Sequence, residues 1–190
     1  KIEGAPHPAQ TIRVFGQETA AKEFLDVFAA SRLHHGWLIN GPRGVGKATL
    51  AWQITKFLLA TPDPDQDGRL LGGPTDSAQT LEISSDHPVS RRIAAGSEPG
   101  VFPLRRGYDE KQKRHKQMIT VDEVRQLKSF FRLTSTDAGR RIVIVDCAED
   151  MNPSAANALL KILEEPPENA FLFLISHQPS RLLPTIRSRC

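Results

Sequence analysis

Apolar residues recur along the chain with two periods, and the alternation of those periods outlines the architecture. Across residues 17–33, Ala21, Phe24, Leu25, Phe28 and Leu33 fall on one face of a helix. Residues 37–40 form a short apolar run that ends in a glycine-rich turn, the pattern of a buried strand. Residues 48–60 read as a very apolar helix stopped by Pro62 and Pro64. Residues 61–79, rich in Pro, Gly and Asp, predict a surface excursion. A further strand is expected at 101–105.

The second half of the chain is patterned more sharply. Thr120 stands three residues before Glu123, the spacing of a capping box, and Val124, Leu127 and Phe131 then share a helical face. Phe130, Phe131, Leu127 and Leu133 read as the core side of that helix. Residues 141–147 hold Ile142, Val143, Ile144 and Val145, β-branched side chains suited to a strand covered on both faces. Asn152 offers a cap and Pro153 fits a first helical turn. The helix that follows carries Ala155, Leu159, Ile162 and Leu163 on its apolar side, and Pro166 and Pro167 stop it. Residues 170–176 make one more apolar strand. Strands alternating with helices predict an α/β fold with a mainly parallel, doubly wound sheet flanked by helices.

Composition narrows the class. At 190 residues, 39% hydrophobic and 25% charged, the chain fits one soluble globular domain. A net charge of +3 is too small to establish a nucleic-acid partner. No apolar run approaches the roughly 20 residues that span a bilayer, so no membrane association is expected. Cys147 and Cys190 are too few for a disulfide scaffold or a four-cysteine zinc site, which favours a reducing cytoplasm. The chain starts at Lys1 and stops at Cys190 without a closing element, and reads as a fragment.

The most specific chemistry lies between the first strand and the second helix. Gly41-Pro42-Arg43-Gly44-Val45-Gly46-Lys47 has the spacing and flanking elements of a Walker A phosphate loop. Small residues let backbone N–H groups turn toward phosphate oxygens, the lysine reaches the terminal phosphates, and the helix start adds positive potential. The next residue should carry a hydroxyl for Mg²⁺, but it is Ala48. Thr49 comes one position late, about 100° further round the helix. Asp146, at the end of the strand over 142–145, sits where a Walker B acid would organise the metal shell, and a helix-cap or turn role is the alternative. Cys147 follows it, where AAA+ motors usually place a glutamate that polarises water. Glu149 and Asp150 stand at the wrong spacing. Lost hydrolysis is the expectation, with ATP and Mg²⁺ binding doubtful and no cofactor required.

Asn157-Ala158-Leu159-Leu160-Lys161-Ile162-Leu163-Glu164-Glu165-Pro166-Pro167 is followed by Phe171-Leu172-Phe173-Leu174-Ile175 and then Ser188-Arg189-Cys190. In that order these segments resemble the clamp-loader branch of the AAA+ family, and Phe15-Gly16-Gln17 fits the same pattern. The resemblance implies an N-terminal AAA+ nucleotide-binding-type domain over 1–190, without the family's final strand, helical lid and collar domain. It implies a place in the bacterial DNA polymerase III holoenzyme, with tau/gamma and delta clamp-loader subunits, the sliding clamp and primed DNA as partners. Ala48 and Cys147 align the chain with the family's subunit type that has a degraded loop and no motor activity. In relatives the arginine of Ser-Arg-Cys projects into the ATP site of the neighbouring subunit. By position that residue is Arg189, whose planar, permanently charged guanidinium suits a transferring phosphoryl group. The family commonly carries a four-cysteine zinc module after the phosphate-loop helix. Residues 61–79 contain no cysteine, so no zinc site is carried over.

Three rivals stand beside this reading. The first is an active tau/gamma-like ATPase that tolerates Ala48 and Cys147. The second is a DNA-binding module working through the basic stretch 105–116, although Asp109 and Glu110 interrupt it and a solvated hairpin is the simpler expectation. The third is an unrelated P-loop protein, against which residues 157–167 speak. His34, His35 and His87 lack companions at metal-ligand spacing and read as structural, the first two at a helix end. Glu164 and Glu165 receive no chemistry.

Overall fold

The computed structural model describes residues 7–61, 79–132 and 139–190. Leu133 and most of the excursion expected at 61–79 lie outside the described residues. The chain divides into two compact units, one of residues 1–33 with 45–99 and one of residues 34–44 with 100–190.

In the first unit, α1 (Glu18–Ala29) buries Phe24, Leu25 and Phe28. It stops short of Leu33, where the periodicity predicts its end. The cause is a Schellman closure: the Arg32 N–H donates to the Val27 carbonyl at 3.2 Å and the Ser31 N–H to that of Phe28 at 3.0 Å. Ser31 takes the required left-handed conformation at φ 51°. The next helix, α2 (Lys47–Ala60), is buried nearly throughout. Its Phe57 ring meets Phe28 edge-on at 4.9 Å and Phe24 at 6.4 Å. Polar groups on α2 find backbone acceptors. Gln53 donates to Ile12 O at 2.5 Å and Lys56 to Thr11 O at 3.3 Å, which ties the segment before α1 to α2.

The short helix α3 (Pro88–Ala94) is not apparent in the sequence. The His87 ring accepts the Val89 N–H at 3.3 Å with proline at the first helical position. His7 repeats the device on the 3₁₀ turn Pro8–Gln10, accepting from Ala9 at 3.1 Å. Histidine is outside the usual N-cap set, so the signal is easily missed.

The second unit is built on a four-stranded parallel sheet. Its elements in chain order are β1 (Gly36–Asn40), β2 (Val101–Leu104), the ribbon strands β3 (Tyr108–Asp109) and β4 (Arg114–His115), α4 (Val121–Arg132), β5 (Arg141–Val145), α5 (Pro153–Glu164), β6 (Ala170–Ser176) and α6 (Pro184–Arg187). The sheet order is β1-β6-β5-β2, with β3 and β4 forming a separate antiparallel pair. Gly36 stands opposite Leu172, Arg141 opposite Ala170 and Val101 opposite Ile142. Pro103 lies in β2 at a sheet edge, where its missing N–H removes no ladder bond.

Val143, Val145, Leu172 and Leu174 pack with Val124, Leu127 and Phe130 of α4 and Leu159 and Leu163 of α5 in one core. Ile142 and Ile144, the alternate set on β5, are buried as well, so the strand reads as a continuous apolar run. Phe131 and Ile162 lie only partly buried at the margin of this core. The α/β architecture with a parallel sheet flanked by helices is the one that the alternating pattern predicts.

Candidate functional site

Three glycines shape the loop between β1 and α2. Gly41, Gly44 and Gly46 have φ of 146°, 84° and 89°, values that a side chain disfavours. At Gly46 a Cβ would also approach Val14 Cγ2 to 2.9 Å. Gly46 caps α2, its carbonyl accepting the Leu50 N–H at 2.9 Å. Gln17 Nε2 donates to the Val45 carbonyl at 2.7 Å and braces the loop's second half. That brace gives Gln17 a physical role which no periodicity reveals. Pro42, Arg43 and Val45 are exposed, whereas Lys47 opens α2 with its side chain buried. Within the first unit, Lys47 and the start of the 14-residue α2 have the chemistry to receive a phosphate group. A magnesium ion is not served in the same way, because Ala48 has a methyl group where a hydroxyl ligand is required.

At the other end of the candidate machinery, β5 closes at Val145 rather than continuing to 147. Cys147 has turned into the left-handed region at φ 58°. Asp146 is exposed, and its N–H continues the ladder to the Leu104 carbonyl at 2.9 Å. The Cys147 thiol lies 3.8 Å from Asp146 Oδ1 and 3.8 Å from His177 Nδ1. Burial first, then the charges of Asp146, Asp150 and Glu149, push that thiol up to about 12, with Arg43 opposing. The thiol form is thereby favoured at neutral pH, and a thiol is a poor substitute for a carboxylate base.

Glu149 is not free to compensate. Its side chain is only 4% exposed, and its Oε1 accepts the His177 backbone N–H at 3.0 Å and faces His177 Nδ1 at 3.1 Å. Burial alone would raise the Glu149 carboxyl. The backbone N–H groups of Glu149 and His177 and the His177 ring outweigh that and hold it below the usual range, although its Oε2 is buried without a hydrogen-bond partner among the described residues. An ionised carboxylate only accepts, so Nδ1 carries the proton. Sequence reasoning missed this pair because its members lie on different elements and follow no period.

Arg189 presents a different arrangement. Its backbone is fixed: the N–H donates to Ile186 O at 3.1 Å, behind a one-turn helix whose Ile186 is fully buried. A Cβ on Gly36 would meet the Arg189 carbonyl and Leu163 Cδ2, each at 3.0 Å, so β1 begins with glycine to admit this segment. Cys190 packs against the core, and burial pushes its thiol up to about 11. The Arg189 side chain, in contrast, is 54% exposed, with Nη2 3.5 Å from Glu164 Oε1.

The histidines pair with backbone groups. His34 and His35 follow the end of α1 rather than lying in it. His35 Nε2 reaches the Leu163 carbonyl near the C-terminal end of α5 at 2.8 Å. Among the described residues no cluster of three His, Cys, Asp or Glu is arranged to hold a metal ion. Nor is any described helix long and apolar enough to cross a membrane.

A delta' subunit of DNA polymerase III from Pseudomonas aeruginosa is 43% identical over 156 residues, covering 82% of this chain and 41% of the relative. A gamma/tau subunit from Mycobacterium bovis is 29% identical over 183 residues, covering 96% of this chain and 28% of the relative. The chain thus spans less than half the length of these curated relatives. A solved gamma subunit-related protein from Thermotoga maritima shares the fold, with a TM-score of 0.56 at 24% identity over 87% of this chain and 43% of that one. The model of the family described as "DNA polymerase III, delta subunit" matches residues 16–190, and the chain belongs to that family.

Proposed function

We propose that this chain is the N-terminal AAA+ domain of an ATPase-deficient, delta-prime-type clamp-loader subunit in a cytoplasmic bacterial DNA polymerase III holoenzyme. In this reading it works beside tau/gamma and delta subunits, helps place the sliding clamp on primed DNA, and supplies Arg189 to the nucleotide of a neighbouring motor subunit. The observation that carries it is at Cys147. A neutral thiol occupies the place of the water-polarising carboxylate, and Glu149, two residues on, is engaged by His177. Ala48 removes the metal-binding hydroxyl as well. The subunit therefore needs no nucleotide, Mg²⁺ or zinc of its own, and Gly41 to Lys47 persist as a phosphate cradle without a hydrolytic partner. Arg189 suits action in trans, because its main chain is anchored while its guanidinium stays half exposed.

DNA-stimulated ATP turnover of the reconstituted clamp loader tests this reading. Arg189→Ala should lower turnover on the order of a thousandfold per dependent site. Unchanged turnover in an assembled complex would remove Arg189 from the mechanism. A second reading, an active tau/gamma-like ATPase, draws on the surviving glycines and Lys47 and on the gamma/tau relative. It predicts turnover by the isolated full-length subunit that Lys47→Ala abolishes.

A further inference from the structure

The segment after β2 concentrates charge. Residues 105–118 contain Arg105, Arg106, Lys111, Lys113, Arg114 and Lys116 against Asp109 and Glu110, more positive charge than the +3 of the whole chain. The structure sorts these charges by partner. Lys116 Nζ is 2.6 Å from Glu123 and Arg106 Nε is 3.4 Å from Asp150, so both are neutralised at the root of the ribbon. Asp109 is used by the turn itself, its Oδ1 accepting the N–H groups of Lys111 at 2.9 Å and Gln112 at 3.0 Å. Arg105, Lys111, Lys113 and Arg114 remain exposed without an acidic partner among the described residues, and Glu110 is the one acid of the segment not so engaged.

We propose that the β3–β4 ribbon is a contact surface for the phosphodiester backbone of nucleic acid, with Arg105, Lys111, Lys113 and Arg114 as its phosphate-binding cations. A two-stranded β-ribbon has the cross-section that a duplex major groove admits. The ribbon is held in shape before binding: Lys116 N–H donates to Gly107 O at 2.8 Å, and Tyr108 packs edge-on against His115 at 5.3 Å. Glu123 fixes it to α4, taking the Thr120 N–H at 2.8 Å, the Thr120 hydroxyl and the Lys116 ammonium together. A Cβ on Gly107 would collide with that carboxylate. Half-exposed Tyr108 adds a ring beside the cations for sugar or base contact. Three cations on a short ribbon, with Arg105 in the segment leading into it, suit the regular charge of a phosphate backbone better than the irregular acids of a peptide. Contacts of this kind position without reading sequence. The inference rests on the clamp-loader reading only in preferring DNA to other polyanions.

The test is fluorescence anisotropy of the full-length subunit with a labelled primed duplex, between about 50 and 200 mM salt. A variant with Arg105, Lys111, Lys113 and Arg114 all changed to Gln is compared with one changed at Lys22, Arg32, Lys128 and Arg187, which are exposed cations outside the ribbon. Each phosphate contact contributes roughly 0.9 to the salt slope, so the ribbon variant should lose about 3 to 4 from it, while the control keeps the slope. Wild-type affinity attributable to the ribbon should fall on the order of a hundredfold across that salt range. Equal slopes in both variants, or no wild-type binding at the lower salt, would overturn the proposal. So would polyglutamate of matched charge binding as tightly as the duplex, which would mark the ribbon as a surface for an acidic protein. Because the readout is DNA binding by the subunit alone, without ATP, its failure is distinguishable from that of the ATP-turnover experiment.

Discussion

Arg189 and Glu164 form an ion pair in which the arginine's main chain is fixed and both side chains are about half exposed, Nη2 standing 3.5 Å from Oε1. Such a pair contributes about 0–1 kcal/mol, so it orients the guanidinium without holding it. Glu164→Gln should therefore leave stability within about 0.5 kcal/mol and retain DNA-stimulated turnover in the reconstituted complex. Arg189→Lys should lose most of that turnover, since a point charge does not reproduce a planar fork. Loss of turnover in Glu164→Gln with normal assembly would show that the carboxylate itself takes part.

Glu149→Ala removes a buried acceptor and leaves the His177 N–H without its partner. The expected cost is about 1–3 kcal/mol, measured by urea unfolding at neutral pH. The pH dependence has a definite sign. The folded-state carboxyl lies below its unfolded value of about 4.3, so its contribution is present above that pH and lost as pH falls through the lower folded value. Stability of Glu149→Ala should accordingly fall less between about pH 5 and 3 than that of wild type. Parallel pH curves would contradict the assignment.

Gly46→Ala places a methyl group within 2.9 Å of Val14 Cγ2 at a φ of 89°. Destabilisation of about 1–3 kcal/mol is expected, read as a lowered thermal midpoint. Gly44→Ala shares the positive φ but meets nothing within 4 Å, so it should cost less. Equal losses would mean that backbone strain alone, rather than the packing of Val14, decides the effect.

The Cys147 thiol, pushed up to about 12, should resist alkylation. In a Cys190→Ser background at pH 8, folded protein should react with iodoacetamide at least on the order of a hundredfold more slowly than protein unfolded in urea. Comparable rates would show that the thiol is not held neutral by burial and the surrounding carboxylates.

Much of the fold was readable because local chemistry and long-range packing agree. The β-branched run at Ile142–Val145 announced a buried strand, and Thr120 with Glu123 announced the start of α4. Asn152 and Pro153 did the same for α5, where the Asn152 side chain accepts the Ala155 N–H at 2.8 Å. The failures share a cause as well. Leu33 keeps helical period after Ser31 has closed α1, because a Schellman turn depends on backbone bonds rather than on hydrophobicity. α3 begins at a histidine cap. Glu149 stands at the wrong spacing for a catalytic acid because its partner is His177, 28 residues away. In the candidate site, residue identities at 48 and 147 were legible, while the partners that occupy Glu149 and Glu164 came only from the fold.

Glu123 also joins two elements through one group. One carboxylate grips the Thr120 N–H at the entrance of α4 and the Lys116 ammonium at the foot of the ribbon, with Gly107 pressed against it. Losing this single carboxylate would therefore release the entrance of α4 and the foot of the ribbon together.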